Sequence, residues 1–118
     1  KTEVGINTRT IIDAVERKSL LNNDTIQSPV RCIFSDDEIK LSCTSAVGRA
    51  NDVISVPIIG ESVEIGFNNR YLLDALKNAD TDEIKLILNG SLTAMIVKPV
   101  KGDSYLSIVV PMRLANEN

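Results

Sequence analysis

The chain has 118 residues, of which 43% are hydrophobic and 25% charged, with a formal net charge of −3. That is enough for one domain burying roughly two-thirds of its unfolded surface without staples, and the acidic balance disfavours an avid nucleic-acid binder, so any basic face must be local. The chain contains no histidine, which removes the commonest general base, the usual catalytic triads and the commonest metal ligand together.

Lys1–Ile6 reads as a strand, because Val4 and Ile6 alternate with Glu3 and Gly5. Asn7 stands where a helix N-cap is wanted. From Thr8 to about Leu20 the period changes: Ile11, Ile12 and Val15 form one stripe of an amphipathic helix. Asn22-Asn23-Asp24 is a turn cluster. Ser28–Ser35, with Pro29 at its mouth, and Ile39–Ser45 predict a hairpin turning at Asp36-Asp37. Ala46–Ala50, around Gly48, is expected to be a loop. Val53–Ile58 is expected to be a strand that leaves the sheet near Pro57.

Glu64–Phe67 is the next strand, Asn68 a second N-cap and Arg70–Ala79 a second helix carrying Leu72, Leu73 and Leu76 on its apolar stripe. Ala79–Asp82 connects it to a strand over Glu83–Asn89. Gly90-Ser91 predicts a tight hairpin turn, with Leu92–Lys98 as the return strand. After an exposed loop over Pro99–Asp103, Ser104–Pro111 is the last strand; Met112-Arg113-Leu114 follow, and Ala115–Asn118 is expected to be a disordered tail.

The thirteen residues Glu3–Val15 (EVGINTRTIIDAV) return 61 positions later as Glu64–Leu76 (EIGFNNRYLLDAL). Six positions are identical: Glu3/Glu64, Gly5/Gly66, Asn7/Asn68, Arg9/Arg70, Asp13/Asp74 and Ala14/Ala75. Two copies are too few for a solenoid. The pattern predicts one domain over 1–118, with halves of about 1–60 and 61–114, each strand–helix–strand–strand–strand. Short turns imply mostly antiparallel pairing and an α+β class, with the two helices side by side on one face of the sheet layer.

Aromatics make up only 3%, so the core must be aliphatic. Cys32 and Cys43 read as small buried hydrophobes, and two thiols without histidine make a poor zinc set. No apolar run approaches the ~20 residues of a membrane span and no signal-peptide pattern opens the chain, so a cytoplasmic protein is expected. No spacing singles out a catalytic group, and no cofactor or metal site is read.

The repeat, with Glu64-Ile65-Gly66-Phe67-Asn68, Tyr71-Leu72-Leu73-Asp74 and the ending Val109-Val110-Pro111-Met112-Arg113-Leu114, resembles the DNA sliding clamp, the beta subunit of bacterial DNA polymerase III, and specifically its C-terminal third. The resemblance runs over essentially the whole chain and implies the DNA-clamp fold, a βαβββ unit performed twice. It implies a non-catalytic processivity factor of DNA replication: a ring of two three-domain chains that encircles duplex DNA without sequence specificity. In that ring the helices line the hole, and Arg9, Arg17, Lys18, Arg70 and Lys77 match the inward-facing role. With Asp13, Glu16 and Asp74 on the same segments the local excess is two positive charges (5 − 3), suited to weak, sliding phosphate contacts.

The resemblance also implies a groove for linear peptide motifs of polymerase subunits, the clamp loader and repair proteins. Its matching positions are Asn68, Tyr71, Leu92, Ala94, Val109, Val110, Pro111, Met112, Arg113 and Leu114, although alternation in the last strand turns at least one of Val109 and Val110 to the core. The family groove is completed by the preceding domain. For the interface with a second clamp chain, Leu20 and Leu21 preserve the apolar part, whereas Gly48–Asp52 is poorer in carboxylates than in relatives. The competing readings are a free-standing α+β ligand-binding or dimerisation module without a DNA role, and a histidine-free hydrolase. Asp80 and Asp82, the nearest carboxylates for the latter, look like turn formers.

Overall fold

Strand alternation and two capped amphipathic helices dictate most of the architecture. The computed structural model describes residues 1–19, 29–45, 48–102 and 104–114. The expectations for Leu20, Leu21, the Asn22–Asp24 turn and the Ala115–Asn118 tail lie outside the described residues, as does the side chain of Lys18. The elements are β1 (Thr2–Asn7), α1 (Thr8–Ser19), β2 (Val30–Ser35), β3 (Glu38–Ser45), β4 (Gly48–Ser55), β5 (Ile59–Gly60), β6 (Val63–Phe67), α2 (Asn69–Lys77), β7 (Glu83–Leu88), β8 (Met95–Pro99) and β9 (Ser107–Val109). All strand pairs are antiparallel, in two sheets ordered β5-β1-β7-β8-β9 and β4-β3-β2-β6. This is an α+β arrangement, two helices with two antiparallel sheets.

The two halves of the repeat exchange their first strands. β1 pairs with β7 of the second half, and β6 pairs with β2 of the first. The registers are equivalent: Ile6 lies opposite Ile84, and its repeat partner Phe67 opposite Val30. The strand–helix copies are offset by 61 residues (6 to 67), but the partner strands by only 54 (30 to 84). The first half is thus seven residues longer (61 − 54) between its helix start and the partner strand, and α1, 12 residues against 9 in α2, takes up three of them.

Both asparagines cap their helices. Asn7 Oδ1 accepts from the Thr10 N–H at 3.0 Å, and Asn68 Oδ1 accepts from the N–H groups of Arg70 and Tyr71 at 2.9 and 3.1 Å. The helices pack against each other, and Thr8 ties α1 to the connection after α2 by donating its N–H to the Asp82 carbonyl and its hydroxyl to the Thr81 carbonyl, both at 2.8 Å. Ile11, Ile12, Ala14 and Val15 of α1 and Leu72 and Leu76 of α2 join the inner faces of both sheets in one buried aliphatic cluster. Its only aromatic members among the described residues are Phe34 and Phe67. Cys32 and Cys43 are buried in it as thiols.

Several boundaries differ from the sequence expectation: α2 ends at Lys77, with Asn78 as its C-cap, instead of running to Ala79, and the loop expected over Ala46–Ala50 gives way to strand from Gly48. β4 occupies Gly48–Ser55 instead of Val53–Ile58, paired along its whole length from Ser45–Gly48 to Glu38–Ser55. Its alternation is hidden because it is an edge strand whose inward positions are Ala50, Asp52 and Ile54, with a carboxylate among them. Beyond it the Asp37 carbonyl accepts from the Val56 N–H and Asp37 Oδ1 from the Ile58 N–H, carrying the chain over to β5, a short ninth strand that periodicity could not reveal. The Asp36-Asp37 turn is as expected, with both residues at positive φ (54° and 55°), the geometry of a two-residue hairpin. The Gly90-Ser91 turn is not tight: β7 ends at Leu88 and β8 begins at Met95. The last strand is likewise shorter, Ser107–Val109.

Replacing Asn7 or Asn68 by Ala is expected to lower stability by about 1 kcal/mol each, with near-additive effects in the double variant, as measured by urea unfolding.

Candidate docking cleft and helix face

The end of the chain turns back on the edge of the four-stranded sheet. β6 is that edge, and Met112 bridges to it at Gly66, donating its N–H to the Gly66 carbonyl at 2.7 Å. Glycine in a strand interior marks close approach of another segment. Here a Cβ on Gly66 would lie 2.4 Å from Cδ2 of Leu114 and 3.2 Å from the Met112 carbonyl oxygen. An open cleft of about 570 Å³ results, lined by Arg31, Ser62, Val63, Glu64, Ile65, Gly66, Gly90, Ser91, Leu92, Met112, Arg113 and Leu114.

Leu92, Met112, Arg113 and Leu114, of the sequence-derived groove residues, line this cleft. Met95 pairs with Val109, where the β8–β9 ladder ends, and Ala94, just before β8, is half-buried. Leu92 and Val110 are 79% and 70% exposed, as is Tyr71 (66%) in the first turn of α2, the helix that packs along β9. Pro111 is half-buried, and Asn68 spends its side-chain oxygen on the cap. Val109 does not belong to a groove wall: it is buried in the core, because alternation turns it inward and leaves its neighbours Ile108 and Val110 outside. Sequence reasoning missed Arg31, Glu64 and Gly66. Arg31 Nη1 and a Glu64 carboxylate oxygen form an ion pair in the cleft. Only the β2–β6 register brings these two together; the glycine within a strand pattern was the legible signal.

The helices expose their cations side by side. Arg9, Arg70 and Lys77 point to solvent, as does Arg17, and three of them are paired. Arg9 Nε lies 3.1 Å from Asp13 and Lys77 Nζ 2.9 Å from Glu16 across the helix pair. Arg17 Nη2 reaches Asp52 Oδ1 of β4 at 2.8 Å, with Nε at 3.2 Å from both carboxylate oxygens. Arg70 makes no ion pair among the described residues. The hydrogen bond from Lys77 holds the Glu16 carboxyl below its ordinary value, and the bond to Asp52 raises Arg17. The helix face is therefore close to charge-balanced. Among the described residues no group of His, Cys, Asp and Glu could hold a metal ion, and no helix is long and apolar enough to cross a membrane.

Residues 1–113 match the family model described as "DNA polymerase III beta subunit, C-terminal domain". The beta sliding clamp of Staphylococcus aureus (strain Mu50) is 32% identical over 102 residues, covering 85% of this chain and 27% of that protein. The crystal structure of the Bacillus subtilis DNA polymerase sliding clamp superposes with a TM-score of 0.91 at 27% identity, covering 98% of this chain and 31% of the other. A sliding clamp from Bartonella birtlesii, solved bound to griselimycin, gives a TM-score of 0.87 at 26% identity, covering 97% and 31%. The chain thus spans about three-tenths of the length of these relatives.

Gly66→Val is expected to destabilise the fold by about 1–3 kcal/mol by forcing Leu114 off the strand, whereas Gly5→Val, whose Cβ meets nothing within 4 Å, stays within about 0.5 kcal/mol; thermal unfolding compares them. Glu16, depressed in the folded state, contributes stability above its unfolded pKa that is lost as pH falls through the folded pKa. Lys77→Gln is therefore expected to return Glu16 to the ordinary range in an NMR titration, and the two proteins' stabilities converge in acid.

Proposed function

The chain belongs to the family formed by the C-terminal domain of the DNA polymerase III beta subunit, and on that premise we propose that it serves as one domain of a ring-shaped sliding clamp. The ring closes around duplex DNA with α1 and α2 toward the hole, and encirclement rather than affinity provides the hold. Arg9, Arg17, Lys18, Arg70 and Lys77 are the DNA-facing cations. The ion pairs of Arg9, Arg17 and Lys77 support this reading, since a nearly balanced face permits sliding without tight phosphate binding. Leu20 and Leu21 are assigned to the contact with the second clamp chain. The role is that of a non-catalytic processivity factor in the cytoplasm.

Polymerase subunits, clamp loader and repair proteins dock through linear motifs on the end of the chain. The observation that carries this assignment is that Leu92, Met112 and Leu114 line one open cleft, with Tyr71 and Val110 exposed on the neighbouring elements. Apolar walls and an adaptable methionine suit the apolar anchors of an extended ligand. Asn68, Ala94, Pro111 and Arg113 complete the groove, and the preceding domain of the clamp forms its other wall.

In a full-length clamp carrying this domain, Met112→Ala or Leu114→Ala is expected to weaken a docking peptide by more than about 1 kcal/mol, roughly fivefold in Kd. Unchanged affinity by isothermal titration would remove the groove assignment. The isolated chain is expected to bind duplex DNA negligibly at physiological salt. Submicromolar binding in an anisotropy assay would contradict encirclement.

A further inference from the structure

Apolar patterning fixes most strands of this fold but leaves β4 weakly specified. It is an edge strand, hydrogen-bonded to β3 along one side. Its inward residues are Ala50, Asp52 and Ile54, and Arg49, Asn51 and Val53 alternate with them on the outer face. Opposite the inward set stand Cys43, Leu41 and Ile39, all buried in the core. Asp52 thus closes a row that runs through Leu41, Cys32 and Ile65. A slip of one residue exchanges the two sets, and each offers a single branched aliphatic side chain, Ile54 or Val53, so packing separates them by little.

A contact from the helix layer does separate them. Arg17, in the last turn of α1, sets Nη2 2.8 Å from Asp52 Oδ1 and Nε 3.2 Å from both carboxylate oxygens, across 35 residues of sequence. The Asp52 side chain is only 21% exposed, and a carboxylate so placed needs a partner. The guanidinium fork is planar and directional. Slipped by one residue, β4 would turn Asp52 to the outer face and offer Arg17 only Asn51 or Val53. Exposed ion pairs add little to stability, and apolar side chains of similar volume often add more, so the consequence of this pair is geometric.

We propose that Arg17 and Asp52 are positioning residues that pin the register of β4 and, through it, the contact with a second clamp chain; the second part rests on the ring reading above. Leu20 and Leu21, assigned to that contact, follow Arg17 by three and four positions in sequence, and the resemblance sets Gly48–Asp52 of β4 beside them. One ion pair therefore ties the helix end that leads into Leu20 to the free edge of the sheet. The charge that Arg17 presents toward the hole is already matched by Asp52, and its main work is to hold shape.

Amide hydrogen exchange on this chain tests the pin. Arg17→Gln and Asp52→Asn are each expected to speed exchange across Gly48–Ser55 by about fivefold or more, the scale of losing a charged hydrogen-bonded contact, while β7 and β8 keep their protection. The two variants change the net charge in opposite directions, so a purely electrostatic role would move them oppositely. In a full-length clamp carrying this domain, each raises the dimer dissociation constant in sedimentation by about fivefold or more, and the double variant raises it no further than either alone. Unchanged β4 exchange in Arg17→Gln would overturn the pin, as would additive effects in the double variant. So would a dimer weakened by Asp52→Asn and not by Arg17→Gln, because Asp52 would then serve the partner chain directly. Leu20→Ala with Leu21→Ala separates the two readings: a dimer left intact by it would overturn the assigned contact, and the exchange data alone would then decide the pin.

Discussion

The structure depends on the exchange of first strands between the two copies of the repeat. β1 finds its partner in β7, and β6 finds its partner in β2, so neither copy can complete a sheet alone. The buried faces of β1 and β6 carry Val4, Ile6, Ile65 and Phe67 into the same cluster that receives the helix stripes. Burying an aliphatic or aromatic side chain contributes about 1.5–3 kcal/mol each, and here that gain arises only when both halves are present. The helices are brought side by side by the same exchange, because each follows directly on an exchanged strand.

Two surfaces follow from that frame. At the β6 edge, the chain's own end bridges to Gly66 and lays Leu114 on it, which closes part of the edge and leaves a cleft of apolar walls beside the Arg31–Glu64 pair. At the corresponding β1 edge, the two-residue β5 pairs only with Thr2 and Glu3, and Gly5 stays open. The repeated arrangement is thus covered in one half and open in the other. On the helix side, pairing of Arg9, Arg17 and Lys77 with carboxylates makes the face nearly neutral. Exposed pairs of this kind contribute little to stability; their consequence is for what the face can hold and how weakly.

Legibility tracked the strength of local signals. The two asparagine caps, both apolar helix stripes and the Asp36-Asp37 hairpin were readable because each is decided by a few adjacent residues. β4 was displaced by several residues because Asp52 occupies an inward position and forms a bidentate contact with Arg17, so the alternation that betrays a strand is broken. β5 is too short for any period. At the cleft, Met112 and Leu114 were legible through the chain ending and Leu92 only through the family resemblance, whereas the Arg31–Glu64 pair was not, since the residues lie 33 apart and meet only through register. Val109 shows the converse limit: a residue in a legible segment still has a face, and strand parity assigned it to the core.

By itself the sequence determined that the chain is a duplicated strand–helix unit with aliphatic interiors and asparagine-capped helices, because those features are written in nearest-neighbour spacing and repeat at one offset. Only the tertiary structure decided which strand pairs with which, which side of β9 faces out, and how closely Leu114 presses on Gly66. Those outcomes depend on register, and shifting a register by one residue reverses every side chain's face without changing the local pattern.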